Sequence, residues 1–589
     1  MDLSELYQQE LKLLKESSKV FSADYPAITE AMNRDIVDPD VDMILQGVSY
    51  LTAQFKKELD DQFPVALQAL SQVLTPTLMQ PIPSISILSF TPKANLISPV
   101  TINRGANFDS LPVKLDEDGV DQLSCRFRSA WPVEVLPVNI ANISQVVAER
   151  TIANVPSKVV ELTIDLTSEK NDLANYDFEN LHFYIDQPAS DASIWLQMLS
   201  QNLTSIQVTN GTAVQNLPAT SVKLTGLALD KTVFSSSDAS NQHSILQEYF
   251  TIPEKLQFFE VDLAPWKQRS GGAFSIILQF KQPTWYLPDL STRHLKLYCT
   301  PVVNEFEHFA EPMVMDGIQL EFGLTAQHRN SSTPVSLPIV DVVGVESVMR
   351  ERERNTTYRN IVKPKSTNGQ KSGFYFYRKH GTHDGDVSNW LALQFTSGIR
   401  PQSSEVLRVK LSCCHGKVAA NIPPNTINVH TSTSSQLVSF TNLTTSSDYL
   451  PAQITTHEAW NVMSDQAISL KSIDNAEQLK LILQHHIPAQ LKETAKQKTL
   501  EHRIHAITEL NVNAKDHFDN GLLIRGTQYL VSISAENFVN RGESFLFCCL
   551  IDQLLALQIP INSFSQLIVT DPRSGESHTW PINFGGMSK

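Results

Sequence analysis

The chain has 589 residues, 41% of them hydrophobic and 19% charged, a balance that buries large cores and excludes a chain disordered throughout. At ~100–200 residues per domain this length calls for about three to five domains. The 62 acidic residues outnumber the 47 basic ones, for a formal net charge of −15, which argues against the basic stripe that nucleic-acid binders use to displace counterions and points to proteins as partners.

The start, Met1-Asp-Leu-Ser-Glu-Leu6, puts acidic residues where a secretory leader needs basic ones and then an apolar run, so export is not expected and a cytoplasmic protein is. Residues 1–83 read as an N-terminal helical region. Leu3, Leu6, Tyr7, Leu11 and Leu14 step by three or four, and Val41, Ile44, Leu45, Val48, Thr52, Phe55 and Leu59 repeat the step behind Asp38-Pro39. A third helix starts at Pro64 and carries Leu67, Leu70, Leu74 and Leu78. Such stripes must be buried on their own domain or in a bundle shared with other chains. The first stripe, Leu3 to Leu14, is the candidate partner interface.

After Ser84 the period falls to two. Ile85–Phe90, Val100–Ile102, Val159–Leu166, Leu181–Ile185 and Phe274–Phe280 are short β-branched or aromatic runs between Pro, Asn, Asp and Gly, the pattern of sandwich-like β domains over residues 84–340. A helix is predicted over Ser193–Leu203, and the polar tract Gln215–Ser244 reads as a loop excursion. Ile245–Phe250 reads as an aromatic strand, followed by a Pro253-Glu254-Lys255 turn and a second aromatic strand ending at Phe259. Among Glu248, Tyr249, Phe250, Pro253, Glu254 and Lys255, the aromatics are assigned to the core and the Glu254-Lys255 charges to the turn surface, with an interface role as the alternative. A second β-rich region, 341–447, holds the alternating charges Arg350–Arg354, a Lys/Asn/Gly-rich turn around 363–373, the aromatic alternation Phe374–Tyr377 and a Ser/Thr-rich loop or linker, Thr431–Ser447. Residues 448–589 form an α+β C-terminal domain: helix Asn475–His485, strands within Leu522–Ser534, a buried amphipathic helix Phe545–Gln558 and strand Gln566–Thr570. The fold class expected is therefore α+β multi-domain. The longest apolar stretch, Phe545–Ile559, is interrupted by Asp552 and Gln553 and falls short of the ~20 residues that span a bilayer.

Sites for chemistry are sparse. No phosphate-cradling G-x-x-x-x-G-K-S/T loop, G-x-G-x-x-G fingerprint, G-x-S-x-G elbow or H-E-x-x-H helix occurs. His380-Gly-Thr-His-Asp-Gly-Asp386 is the best metal-like cluster, and a Gly-rich polar turn explains the same residues. His485-His486 and the pair His502/His505 lack a third ligand at metal spacing. Asp60-Asp61 and Asp384/Asp386 would need to face one another across a cleft to act as glycosidase acids. The six cysteines show no C-x-x-C spacing and read as small buried hydrophobes in a reducing compartment. No catalytic residue, metal or cofactor is expected.

The stretch Ile245-Leu-Gln-Glu-Tyr-Phe-Thr-Ile-Pro-Glu-Lys-Leu-Gln-Phe-Phe259 resembles a signature of the TssF (VasA or ImpG) baseplate proteins of type VI secretion systems. Further segments are similar in the same order: Leu6-Tyr-Gln-Gln-Glu-Leu11 with Phe21–Pro26, Asp38-Pro39 with Asp60-Asp-Gln-Phe-Pro64, Cys125-Arg-Phe-Arg128, Cys299-Thr-Pro-Val-Val-Asn304, and Arg525-Gly526 with Ile561-Asn-Ser-Phe564. Leu256 stands where an aromatic is usual, Cys413-Cys414-His415-Gly416 where a Thr-Asn pair is, and Trp460-Asn-Val-Met-Ser464 matches its counterpart in part. The resemblance implies a non-enzymatic wedge subunit of the baseplate. Its partners would be TssG, TssK, TssE, the VgrG spike and a second copy of itself, docked at the inner-membrane complex. The alternatives are a cytoplasmic hydrolase using acids near Asp384 and Asp386, and a carbohydrate-binding β protein.

Overall fold

The computed structural model describes residues 80–585 except 116–121, 153–154, 169–172, 177, 235–240, 268, 316–317, 329–333, 350–354, 363–372, 382–386, 396–404, 453–472, 489–494, 520 and 558, together with helical positions 11–12, 43, 46–52 (without a break), 54 and 70. The architecture is α+β and multi-domain, as the period change at Ser84 suggests. Of the first stripe, Leu11 is helical and half-buried, while Leu3, Leu6, Tyr7 and Leu14 lie outside the described residues.

A six-stranded antiparallel trunk sheet is built in the order Ile427–Val429, Asn107–Ser110, Arg126–Ser129, Cys299–Val303, Ile85–Pro92, Val438–Asn442. Strand Ile85–Pro92 is covered on both faces: Leu88 and Phe90 enter the main core, Ile85 and Ile87 a second one behind the sheet. Ser86, buried between them, donates its hydroxyl proton to Thr444 O at 2.8 Å. The rings of Phe90, Phe108 and Phe440 meet on the main-core side with centroids 4.7 to 6.2 Å apart. The Ser/Thr-rich tract 431–447, expected as a loop, thus supplies a trunk strand. Val438, Phe440 and Asn442 point inward while Ser439 and Thr441 take the outward places, where a polar residue also suits a strand.

Two further sheets share these cores: a five-stranded one, in the order Val214–Leu217, Leu203–Thr209, Ala273–Lys281, Val155–Thr167, Asn139–Ile152, and a four-stranded one, Val222–Leu224, Phe258–Asp262, Asn180–Ile185, Leu295–Leu297. In the first, Phe274, Ile276, Leu278 and Phe280 stand opposite Leu166, Ile164, Leu162 and Val160, so the period of two read from the sequence becomes one apolar face. The tract 215–244, expected as a loop excursion, contributes an edge strand to each sheet. An edge strand needs only one paired side and tolerates polar residues facing water, which weakens its sequence signal.

Helix α1, Ala189–Gln197, starts four residues before the predicted segment and continues into a π turn, Met198–Asn202, so it covers that segment up to Leu203, which opens the next strand. Helix α2, Asn241–Thr251, replaces the aromatic strand expected at Ile245–Phe250. Ser244 through Phe250 are all buried, so no wet face imposes a 3.6 period, and a short run of this kind reads equally as strand or helix. A 3-10 turn, Pro253–Gln257, then leads into strand Phe258–Asp262.

An eight-stranded sheet, residues 306–413, is inserted between trunk strands Cys299–Val303 and Ile427–Val429 around its own core of Met315, Phe322, Tyr358, Tyr375, Leu391, Leu407 and Val409. The sheets therefore group residues otherwise than the split at 340/341. Strands 306–336 belong with the insertion, and 427–442 return to the trunk. Such a return is a non-local pairing that no local change in composition announces.

The C-terminal unit holds α3, Ala476–His485, capped by Asn475, α4, Ala495–His505, and α5, Arg541–Ala556, on a mixed sheet. Its long hairpin, Ile507–Asp519 with Leu522–Ile533, runs parallel to Phe564–Thr570 along Thr527–Ser532. The N-terminus of α5 crosses α1 closely enough that a Cβ on Gly542 would lie 2.3 Å from the carbonyl carbon of Ser193. Asn540 caps α5 by accepting from Glu543 N at 2.9 Å and donates through Nδ2 to Ser190 O at 2.8 Å, tying the two helices.

Asp552, which interrupts the apolar run, is buried on α5 and accepts from Asn583 Nδ2 at 3.1 Å; burial pushes its carboxyl up to about 6. The unfolded carboxyl loses its proton near pH ~4, so the folded state binds the proton more tightly. Asp552 therefore costs nothing below pH ~4, and it destabilises progressively as pH rises from ~4 to ~6. Asp552→Asn is expected to flatten melting temperature against pH over that window and to add on the order of 2 kcal/mol at pH 7. An unchanged profile would show that Asp552 does not titrate there.

Candidate functional site

The signature stretch forms a buried ionic knot. Glu248, near the end of α2, pairs through Oε2 with Lys255 Nζ from the 3-10 turn, and each side chain is only 1% exposed. Glu248 Oε1 accepts from Val233 N at 2.7 Å and Phe234 N at 3.2 Å, and Lys255 Nζ stands 5.9 Å from the Trp131 ring centroid. Trp131 is fixed by its own indole proton on Lys231 O at 2.9 Å and by an edge contact with Phe258. A Cβ on Gly226 would lie 2.6 Å from Leu256 Cα, so only glycine lets the 231–234 approach pass the turn. The knot joins α2, the turn, that approach and the segment leaving the trunk sheet at Trp131. Lys255 is thus no surface charge. Glu254 is half-buried, Pro253 exposed, and Tyr249 and Phe250 are buried, Tyr249 against Phe547 of α5. The signal for burial was the company these charges keep, since almost every other residue from Ile245 to Phe259 is apolar or an amide.

Two further quoted segments meet at the root of the insertion. Cys125–Arg128 and Cys299–Asn304 are neighbours in the trunk sheet, with Val303 opposite Arg128. Asn304 Oδ1 accepts from His415 N at 2.8 Å, which fixes Nδ2 as the donor to Arg126 O at 2.7 Å and to His415 Nδ1 at 2.9 Å. His415 therefore carries its proton on Nε2. Burial, then the nearby His328, Arg126 and His308, hold its pKa down to about 3, so the ring is neutral at physiological pH. Glu305 binds both Arg128 and Ser412 there, and Arg126 meets Asp109 through two bonds at 2.9 and 3.0 Å. The Cys413–Gly416 departure falls on this root, where Gly416 takes a left-handed φ of +58° against Pro338. A cleft of about 430 Å³ opens beside it, lined by Asp109, Arg126, Phe306, His308, His328 and His415 among others.

Among the described residues no group of three His, Cys, Asp or Glu side chains could hold a metal ion. His380 is the penultimate residue of strand Gly373–Gly381, whereas His383, Asp384 and Asp386 lie outside the described residues, as do Asp60, Asp61, Arg350–Arg354 and Trp460. His486 is buried and donates through Nδ1 to Ile482 O at 2.7 Å, while His502 and His505 sit in the last turn of α4. Burial pushes the thiols of Cys125, Cys299, Cys413, Cys414 and Cys549 up to about 12, so they are poor nucleophiles. Arg525-Gly526 and Ile561–Phe564 also come together: Ser563 donates to Arg525 O at 2.9 Å, and a Cβ on Gly526 would lie 2.4 Å from Phe564. These arrangements hold strands and helices in place. Among the described residues no helix is long and apolar enough to cross a membrane.

The family model described as type VI secretion system, TssF, matches residues 1–586. The type VI secretion system component TssF1 of Pseudomonas aeruginosa is 26% identical over 344 residues, which take in 55% of this chain and 54% of that one, so the matched part spans about half the length of the relative. Among solved structures, a chain of the TssK-TssF-TssG baseplate subcomplex of the type VI secretion system is similar with a TM-score of 0.73 at 20% identity, covering 92% of this chain and 98% of that one. A chain of the baseplate complex from the type VI secretion system is similar with a TM-score of 0.54 at 16% identity, covering 99% of each. At these identities the two likenesses speak for the fold. With the family model spanning nearly the whole sequence, the chain belongs to the TssF family of type VI secretion systems.

Proposed function

We propose that this protein is a non-enzymatic structural subunit of the type VI secretion baseplate, assembled with TssG and TssK into a wedge. TssE, the VgrG spike and a second copy of the chain are its further neighbours, on the cytoplasmic side of the inner-membrane complex. The observation that carries the reading is the family match together with exposed apolar residues on the described N-terminal helical positions: Met43, Val48, Tyr50, Leu51 and Leu70 are all open to solvent in the single chain. Apolar helix surface left open in the single chain supports the reading that these helices join a bundle shared with other chains. The likeness to a chain of a TssK-TssF-TssG subcomplex supports the same partners. The work is mechanical. Subunit interfaces with two packings that differ by a few kcal/mol would hold the sheath extended and then let it contract.

The test is co-expression with TssG and TssK, comparing the full chain with one lacking residues 1–35. The shortened chain is expected to lose TssG while keeping the melting transition of its β domains. Undiminished co-purification would exclude the shared bundle. An enzyme would instead gain melting temperature from a small ligand or metal, whereas this chain is expected to gain it from its partner subunits.

A further inference from the structure

The cleft at the root of the insertion lies between two bodies. Asp109 and Arg126 of the trunk form one wall, the strand Phe306–Phe309 and His328 of the insertion the other, and His415 stands where the chain returns to the trunk. Its volume of about 430 Å³ is that of a small-ligand site. Most polar groups along it are spent within the protein. Asp109 holds Arg126 through Nε and Nη2, Glu307 holds Lys410 at 2.7 Å, and Glu311 accepts from Thr325 Oγ1 at 3.3 Å. His308 donates through Nε2 to Gln327 O at 3.3 Å. Two donors remain. The His415 side chain is only 4% exposed and its Nδ1 is taken by Asn304, which leaves the Nε2 proton without an acceptor among the described residues. Arg126 keeps the protons of Nη1, since its bonds to Asp109 run through the other two nitrogens. The charged groups that act on His415 are His328, Arg126 and His308, with no carboxylate among them, so the deep end of the cleft is electropositive. Buried donors are normally paired, and here the unpaired one belongs to a ring locked in place on the cleft wall.

We propose that this cleft binds a carboxylate presented by an extended acidic peptide, whose oxygens accept from His415 Nε2 and Arg126 Nη1. A guanidinium arm and a fixed imidazole proton suit a planar carboxylate, and the charge on the oxygens strengthens both bonds. A phosphate dianion would bring a second negative charge against Asp109, Glu307 and Glu311, which line the same cleft. Strand geometry favours a peptide over a free acid. Phe306–Phe309 is the end strand of the eight-stranded sheet, paired on one side with Glu405–Cys413, so its other side offers an extended chain an edge to follow. The Phe306 ring, 4.4 Å from that of His415, and Phe309 give the apolar parts of such a chain a wall. The site is independent of the baseplate role, because every group in it belongs to this chain.

The test is calorimetric titration of the purified full chain with acetyl-Asp-Asp-amide, compared with acetyl-Asn-Asn-amide and with succinate. The acidic peptide is expected to bind about tenfold or more tightly than the amide peptide, the factor that a hydrogen bond to a charged group carries. Arg126→Lys keeps a cation beside Asp109 but has no second arm, and His415→Phe keeps a ring against Phe306 but has no proton to give. Each is expected to weaken the acidic peptide by a similar factor. Arg126 is exposed, so its variant keeps the test decisive even where His415→Phe disturbs the bonds of Asn304. Absence of binding by the acidic peptide, equal binding of the amide peptide, or undiminished binding to Arg126→Lys overturns the carboxylate site. Succinate binding as tightly as the acidic peptide overturns the peptide as its source. None of these results bears on the baseplate role, which co-expression with TssG and TssK decides.

Discussion

Replacing Glu248 with leucine is expected to destabilise the protein by about 3–5 kcal/mol, the cost of leaving a buried charge without its partner. Lys255 would keep an ammonium with no counter-charge, and the amides of Val233 and Phe234 would lose the oxygen they share. Lys255→Met should cost less, because the carboxylate left behind still accepts two backbone protons. The double variant Glu248→Leu with Lys255→Met should recover part of the Glu248→Leu loss, with the two orphaned amides accounting for the remainder at roughly 1–3 kcal/mol each. The chain has several cores and will not unfold in one step, so the readout is the first thermal transition, with limited proteolysis near 231–234 reporting whether the knot has opened. A Glu248→Leu protein within about 0.5 kcal/mol of the parent would show that the pair holds nothing together.

The second large effect is expected at Gly542. A methyl group there would meet the backbone of Ser193 at 2.3 Å, and neither helix can yield by turning a side chain. Gly542→Val is therefore expected to force α1 and α5 apart at about 3 kcal/mol, the upper end of overpacking, and to disturb the Asn540 bonds to Ser190 and Ser193. Proteolysis should then release a C-terminal fragment beginning near residue 473, and amide exchange should rise in both helices. Gly323→Ala is the control, since a Cβ there meets nothing within 4 Å. Equal protease resistance in the two variants would mean that the close crossing does not bind the C-terminal unit to the β domains.

Periodicity in the sequence determined the elements whose two sides differ. The alternation of Phe274, Ile276, Leu278 and Phe280 became a strand with one apolar face. The run from Phe545 became α5, and Asn475 marked a true helix start because its side chain accepts from Gln478 N. Motif order determined the family, since the quoted segments stand in sequence whatever they touch. Tertiary structure decided the rest. Ile245–Phe250 is a helix because the core closes over all of it, and that same closure turned Lys255 from a turn charge into half of a buried pair. Val438–Asn442 is a strand because Ile85–Pro92, more than three hundred residues away, offers it an edge. The strand Ile507–Asp519, with a polar sequence that hid it, exists because Leu522–Ile533 supplies its hydrogen bonds. Local pattern records which face of an element is wet. Pairing between distant strands and enclosure on every side leave no such record, because their free energy comes from partners that the neighbouring residues do not name.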